Sequence, residues 1–228
     1  MKFKGRIPTW NQIVFYQALR CHASGRKWLD LGCGRGTSDP ALTPIRQSMN
    51  EEFYVGADVD EGSLKECPEP NKILTNASSL PFREGSFDLI SSNMVFEHLA
   101  DPLAVLREAH RVLSDGGNLI IHTPSSSHFI LIIGRILSSF LPANIYRKLV
   151  SSYEGRKEAD IFPTYYRANS EKLVADLARK SRLRLVSIRY LETPFVLPQF
   201  LHGVERIFRK FLPDPLKSSM LIQMIRAS

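Results

Sequence analysis

Short apolar runs recur through the first half of the chain, each closed by a polar residue or a glycine. Residues 26–31 (ending Trp28-Leu29-Asp30-Leu31), 53–58, 73–76, 87–91 and 118–123 read as five strands. Helical spacing separates them. Residues 9–25 predict a helix with Trp10, Ile13, Val14, Gln17 and Ala18 along one side and Gly25 at its end. Residues 37–50 read as helical or irregular, interrupted by Pro40 and Pro44. Leu103 to Leu113 predicts a helix with Leu103, Leu106, Ala109, His110 and Leu113 together, and Asp115-Gly116-Gly117 predicts a tight turn after it. Strands alternating with helices imply βαβ units and a parallel sheet.

Beyond Pro124 the pattern changes. Residues 129–140 are strongly apolar, and a basic stretch follows to Val150. Turn-forming and aromatic residues fill 151–168, Ser170 is placed to cap a helix at 171–180, and 183–191 has strand composition. An amphipathic helix is expected within 198–212 and a last strand at 219–227. No repeat or low-complexity linker interrupts the chain, so residues 1–228 read as one domain with a lid or insertion at about 125–168.

Composition narrows the class. A hydrophobic fraction of 43% and a charged fraction of 23% are ordinary for a globular protein. Three cysteines, odd in number and without C-x-x-C spacing, argue against a disulfide framework or a zinc site and fit the cytoplasm. The N-terminus has basic residues but no apolar run of the secretory kind. Charge is uneven: residues 1–128 hold 13 Lys and Arg against 15 Asp and Glu (net −2), whereas 129–228 hold 17 against 8 (net +9). The basic half suits anionic lipid, nucleic acid, an acidic substrate or plain solvation. The 129–140 run is too short and too charged to span a bilayer. It fits a buried lid helix or, with the basic residues to 150, peripheral contact with an anionic membrane.

The candidate chemistry starts at Asp30-Leu31-Gly32-Cys33-Gly34-Arg35-Gly36. A strand ends in an acid, and three glycines at alternate positions let the backbone turn sharply and approach a ligand. The spacing is G-x-G-x-G, unlike the G-x-G-x-x-G of dinucleotide folds. Asp30 would repel a pyrophosphate and suits a ligand with a positive group. Asp58 closes the second strand 26 residues after Gly32, where a carboxylate can accept from both hydroxyls of a ribose; Asp60 is a close competitor. Ser91-Ser92-Asn93 ends the fourth strand beside the same crevice, which nominates Ser92 and Asn93.

These segments, taken in order, resemble the class I S-adenosylmethionine-dependent methyltransferases, in particular the small-molecule group of type 11/12. The glycine run resembles their motif I, Asn76-Ala77 and Leu80-Pro81-Phe82 their "gDa–LPF" stretch, Phe87-Asp88-Leu89-Ile90 their "sFDlv". Glu97-His98-Leu99 with Asp101-Pro102 resembles "EHl–dp", and Arg111-Val112-Leu113 with Gly116-Gly117 resembles "RvLkpGG". The likeness covers residues 26–124. It implies an α/β/α sandwich, with helices on both faces of a seven-stranded, mostly parallel sheet whose last strand is antiparallel. It also implies S-adenosyl-L-methionine as cofactor and S-adenosyl-L-homocysteine as product. Asp30, Gly32, Gly34, Gly36, Asp58, Asn76, Ala77, Ser92 and Asn93 become the expected cofactor contacts, with the Asn76 amide oxygen in place of the usual acid at the adenine amino group. Methyl transfer to a hydroxyl uses a general base, and His98 is the candidate. Ubiquinone-type O-methyltransferases place a Glu three residues before the "EH" pair to complete a metal site. Met94 stands there, so no metal is expected. Tyr165, Tyr166 and Arg167 are candidates for an acidic or aromatic small-molecule acceptor. The chain lacks the Asn/Asp-Pro-Pro-aromatic run of enzymes that methylate base or amide nitrogen, which counts against nucleic acid as partner. A module that binds the cofactor without turnover, and an RNA enzyme using the basic half, stand as alternatives. Acceptor identity and oligomeric state stay open at this level.

Overall fold

The computed structural model describes residues 10–23, 26–36, 54–128, 163–192 and 213–227, with Gly203, Ile207 and Phe211. The expectations at 37–50, 129–162 (the apolar run, the basic stretch and most of the insertion) and most of 198–212 lie outside the described residues.

In chain order the elements are α1 (Trp10–Ala23), β1 (Trp28–Leu31), β2 (Tyr54–Asp58), α2 (Glu61–Glu66), β3 (Lys72–Leu74) and β4 (Phe87–Asn93). A 3-10 turn (Phe96–His98), α3 (Pro102–Val112), β5 (Leu113–Pro124), α4 (Glu171–Lys180), β6 (Leu183–Leu191) and β7 (Ser219–Arg226) follow. The strands form one sheet in the order β3-β2-β1-β4-β5-β7-β6. Neighbours from β3 to β5 run parallel, and β7 lies antiparallel between β5 and β6. The order reverses between β1 and β4, and the crevice outside their carboxyl ends is where open α/β sheets bind ligands.

Alternate strand residues feed two cores. On one face α1 packs Val14, Phe15, Tyr16 and Leu19 onto Trp28, Tyr54, Leu89, Ile120 and Leu221. On the other, Leu29, Leu31, Ile90, Leu119 and Ile121 pack with Val105, Leu106, Ala109 and Val112 of α3 and Val174 and Ala178 of α4. Both helix faces are rotated from the expected ones. Gln17 of α1 is exposed, while Phe15, Tyr16 and Leu19 turn inward, because the larger side chains win the sheet surface. In α3, Val105 and Val112 replace Leu103 and His110 in the stripe.

The expected turn at Asp115-Gly116-Gly117 is a wide irregularity inside β5. Phe87 pairs with Leu113 and Leu89 with Asn118, so four residues of β5 lie opposite the single residue Asp88 of β4, and Gly116 takes φ +75°. Ser170 occupies the N-cap of α4 as expected but makes no side-chain capping bond. Among the described residues, no helix is long and apolar enough to cross a membrane.

Candidate active site

The glycine turn is stitched to the end of β2. Gly32 and Cys33 donate to the Ala57 carbonyl at 2.7 and 3.2 Å, and Gly36 donates to the Cys33 carbonyl at 2.9 Å. Gly32 and Gly34 have φ of +73° and +53°. A Cβ on Gly32 would sit 2.2 Å from Cγ2 of Val95, whereas a Cβ on Gly34 would meet nothing within 4 Å. Gly32 is thus set by packing, and Gly34 is the residue at which the backbone is open to a ligand.

Asp58 belongs to this turn. Its carboxylate accepts from Gly34 N–H at 2.7 Å and from Asp60 N–H at 2.9 Å. The side chain is half-buried, and two backbone donors fix its plane. Asp60 is engaged elsewhere as the N-cap of α2, taking bonds from Gly62 N–H, Ser63 N–H and Ser63 Oγ–H, which hold its carboxyl below the ordinary carboxylate range. The geometry therefore separates the two competing acids: one caps a helix, the other faces the glycine turn.

Asp30 lies on the α1 face at the end of a donor chain. Trp28 Nε1–H donates to Ser91 Oγ (2.7 Å), Ser91 Oγ–H to Asp30 Oδ1 (2.5 Å) and Tyr54 O–H to Asp30 Oδ2 (3.3 Å). Asn76 is exposed, and its Oδ1 accepts from both Ser78 N–H and Ser78 Oγ–H at 2.9 Å. Those two bonds use both lone pairs of the oxygen expected to meet an adenine amino group, leaving the amide nitrogen as its ligand-binding end. Ala77 follows it, half-buried. The surrounding loop is clamped by α3: Arg111 donates to the carbonyls of Phe82 (2.7 Å) and Leu80 (2.9 Å), and Glu108 accepts from Leu80 N–H.

At the end of β4 the two nominated residues part company. Ser92 pairs with Leu31 and Ile121, and its side chain is wholly buried on the α3 face; its Oγ has no hydrogen-bond partner among the described residues. Its hydroxyl does not reach the crevice, because strand residues alternate sides and Asn93 takes the other one. Asn93 is half-buried, and its Oδ1 lies 2.7 Å from Nδ1 of His122. The next residue, Met94, has φ +58°, a left-handed conformation uncommon outside glycine, and donates its N–H to the His122 carbonyl.

The turn after β4 carries Glu97 and His98. The Glu97 side chain is buried, and its Oε2 accepts from Thr123 Oγ1–H at 3.0 Å. Asn169 Nδ2 in turn donates to Thr123 Oγ1 and to the Pro124 carbonyl, each at 2.8 Å. His98 has Nδ1 2.9 Å from the Pro163 carbonyl and Nε2 3.8 Å from Oε1 of Glu97. A carbonyl accepts only, so Nδ1 carries the proton and Nε2 is the basic nitrogen. Residues 163–169 are pinned across this turn. Tyr165 and Tyr166 N–H donate to the Glu97 carbonyl, Arg167 Nη1 donates to the Ala100 carbonyl at 2.6 Å, and the Arg167 guanidinium stacks 5.6 Å above the Tyr165 ring. Tyr165, Tyr166 and Arg167 therefore gather beside His98.

Sequence reading passed over His122, Thr123, Asn169 and the clamp role of Arg111. One signal was available: a histidine, His122, standing inside the apolar run of β5.

Residues 29–121 match the family model described as Methyltransferase domain. A probable S-adenosylmethionine-dependent methyltransferase of Mycolicibacterium smegmatis is 29% identical over 120 residues, 51% of this chain and 45% of that protein. A ubiquinone biosynthesis O-methyltransferase of Ruegeria pomeroyi is 30% identical over 131 residues, 52% of this chain and 51% of that protein. The chain spans about half the length of the curated relatives it matches. The fold is that of the S-adenosylmethionine dependent methyltransferase from Mesorhizobium loti, with a TM-score of 0.60 at 15% identity over 95% of this chain and 98% of that one.

Proposed function

We propose that residues 29–121 form a class I S-adenosylmethionine-dependent methyltransferase domain of the type 11 group, and that the chain binds S-adenosylmethionine and methylates an oxygen of a small-molecule acceptor. The observation that carries this reading is the Asp58 carboxylate, fixed by Gly34 and Asp60 N–H beside a glycine with open space at its Cβ. A nucleoside with a cis-diol fits that arrangement: the outer lone pairs of Asp58 take the two hydroxyls while Gly34 permits close approach. Asp30, held by Ser91 and Tyr54, keeps negative charge near the turn for the cationic end of the cofactor.

When bound, S-adenosylmethionine supplies a methyl group on a sulfonium, a leaving group that needs no further activation. The chain's part is to align the acceptor, exclude water and take one proton. His98 Nε2 accepts the acceptor hydroxyl's proton as the new O–CH3 bond forms, and the resulting imidazolium lies against the buried Glu97 carboxylate. Thr123 and Asn169 hold Glu97 in place for this. Tyr165, Tyr166 and Arg167 offer an aromatic surface and a positive charge, which suits an aromatic or acidic acceptor. The Ruegeria relative's name, a ubiquinone biosynthesis O-methyltransferase, supports an oxygen nucleophile on a small molecule.

Calorimetry with S-adenosylmethionine and S-adenosylhomocysteine tests binding, and an assay for S-adenosylhomocysteine release against a panel of phenols and carboxylic acids tests turnover. Binding of both, with release that depends on an acceptor and falls about 100-fold or more in His98→Gln, is the expected result. Binding without release from any acceptor, and an unchanged His98→Gln, marks a non-catalytic module.

A further inference from the structure

A chain of three buried polar side chains, far apart in sequence, ends on Asn93. Asn11 of α1, Ser219 of β7 and His122 of β5 are all at most 5% exposed. Asn11 Nδ2 lies 2.9 Å from Ser219 Oγ and 3.4 Å from Ser218 Oγ; Ser219 Oγ lies 3.0 Å from His122 Nε2, and His122 Nδ1 lies 2.7 Å from Asn93 Oδ1. Such a chain can run in either direction, since each amide can be turned over and the imidazole can carry its proton on either nitrogen.

One bond at the far end favours one direction. Ser218 donates its hydroxyl proton to the Leu191 carbonyl at 2.9 Å, so toward Asn11 it can only accept. Asn11 must then turn its NH2 to the two serines. Ser219 accepts from Asn11, which leaves its own proton to give to His122 Nε2. His122 is left with its proton on Nδ1, which donates to Asn93 Oδ1. The Phe15 ring packs on the imidazole with centroids 5.8 Å apart and covers that side of it. Burial also pushes His122 down to about 4, so the ring is neutral around pH 7 and has one N–H to give.

We infer that His122 is a positioning residue that locks the Asn93 carboxamide with its oxygen inward, so that the crevice at the end of β4 meets its N–H donors. This rests on the proposed methyltransferase reading insofar as it names the ligand: Asn93 then donates to an oxygen of the bound cofactor, and ligand groups that are themselves donors are disfavoured there. The site is selected for an oxygen-bearing partner from a carbonyl more than 90 residues away in sequence, through β7 and α1.

Two substitutions separate positioning from mere packing. His122→Asn keeps a donor where Nδ1 stood and gives up Ser219; His122→Gln keeps a partner for Ser219 and gives up Asn93. Each leaves a similar gap, so a purely structural role weakens both alike. Calorimetry with S-adenosylhomocysteine is expected to give His122→Asn an affinity within about threefold of the wild type and His122→Gln a loss of about tenfold, the span of one hydrogen bond. Asn93→Asp keeps the contact with His122 and removes the donors, so it should lose as much as His122→Gln even if the His122 variants do not fold. Nitrogen NMR of the histidine-labelled wild type is expected to find the Nδ1–H tautomer at His122. The Nε2–H tautomer overturns the inference, and so do equal losses in the two His122 variants. Failure of the wild type to bind S-adenosylhomocysteine refutes the methyltransferase reading instead, and the tautomer still decides the direction of the chain.

Discussion

Acidification should destabilise this protein through His122 in a calculable way. The folded ring sits at about 4 because burial penalises its charged form, while in the unfolded chain it returns to about 6.5. The unfolded state therefore binds the proton more tightly. The stabilising effect is complete above pH 6.5, shrinks as the pH falls and is exhausted near pH 4, with a steepest slope of about 1.4 kcal/mol per pH unit. Relative to pH 7.5, linkage gives a loss of about 2 kcal/mol at pH 5 and about 3 kcal/mol at pH 4. Urea denaturation of the wild type and of His122→Gln between pH 7.5 and 5 measures this. Carboxylates and His110, which is also held below its ordinary value by burial and by Arg226, titrate in both proteins, so the difference between the curves isolates His122. The wild type should lose about 2 kcal/mol more than the variant over this range. Parallel curves would mean that the ring takes up its proton inside the folded protein, and the linkage argument fails.

Asp58→Ala should weaken S-adenosylmethionine binding by about 1.5–3 kcal/mol in calorimetry, the worth of hydrogen bonds to a charged group, and lower Tm as well because Gly34 and Asp60 N–H lose their acceptor. Gly34→Ala and Gly32→Ala should divide cleanly. The first costs about 1 kcal/mol of stability for its left-handed backbone but strikes binding, while the second adds a clash with Val95 and destabilises by about 2–4 kcal/mol in denaturant titrations. Arg111→Met should cost about 1.5–3 kcal/mol, read the same way, by abandoning the Leu80 and Phe82 carbonyls and Glu108.

Most of the sheet was legible because strand composition and spacing are local properties. Residues 183–191 are the sixth strand residue for residue, and the last strand differs from expectation by one residue. Helix phase was less legible. Spacing alone puts Gln17 or Phe15 inward with similar ease, and the choice falls to the sheet surface beneath. The glycine turn and Asp58 could be read because their chemistry lies in one short motif and one strand end. The buried networks could not: Asn11 and Ser219 are 208 positions apart, and nothing local marks either one. Strand alternation did contain unread information. Of the adjacent pair Ser92 and Asn93, one must face the helices while the other faces the opposite side.

His122 and Thr123 are consecutive residues of β5, and the pleat sends one to Asn93 and the other to Glu97. Both sides of the site thus depend on the phase of a single strand. The slack in that strand lies upstream, where residues 114–117 bow away from β4 before pairing resumes at Asn118. Chain-length changes should follow this division. A residue added to or removed from the bow can be absorbed there with the site intact. A single deletion between Leu119 and Ile121 exchanges the two faces, so that the histidine turns to the α3 face, the threonine faces Asn93 and Pro124 takes the place opposite Glu97. The bow is therefore where this chain can change in length, and the seven residues after it are where it cannot.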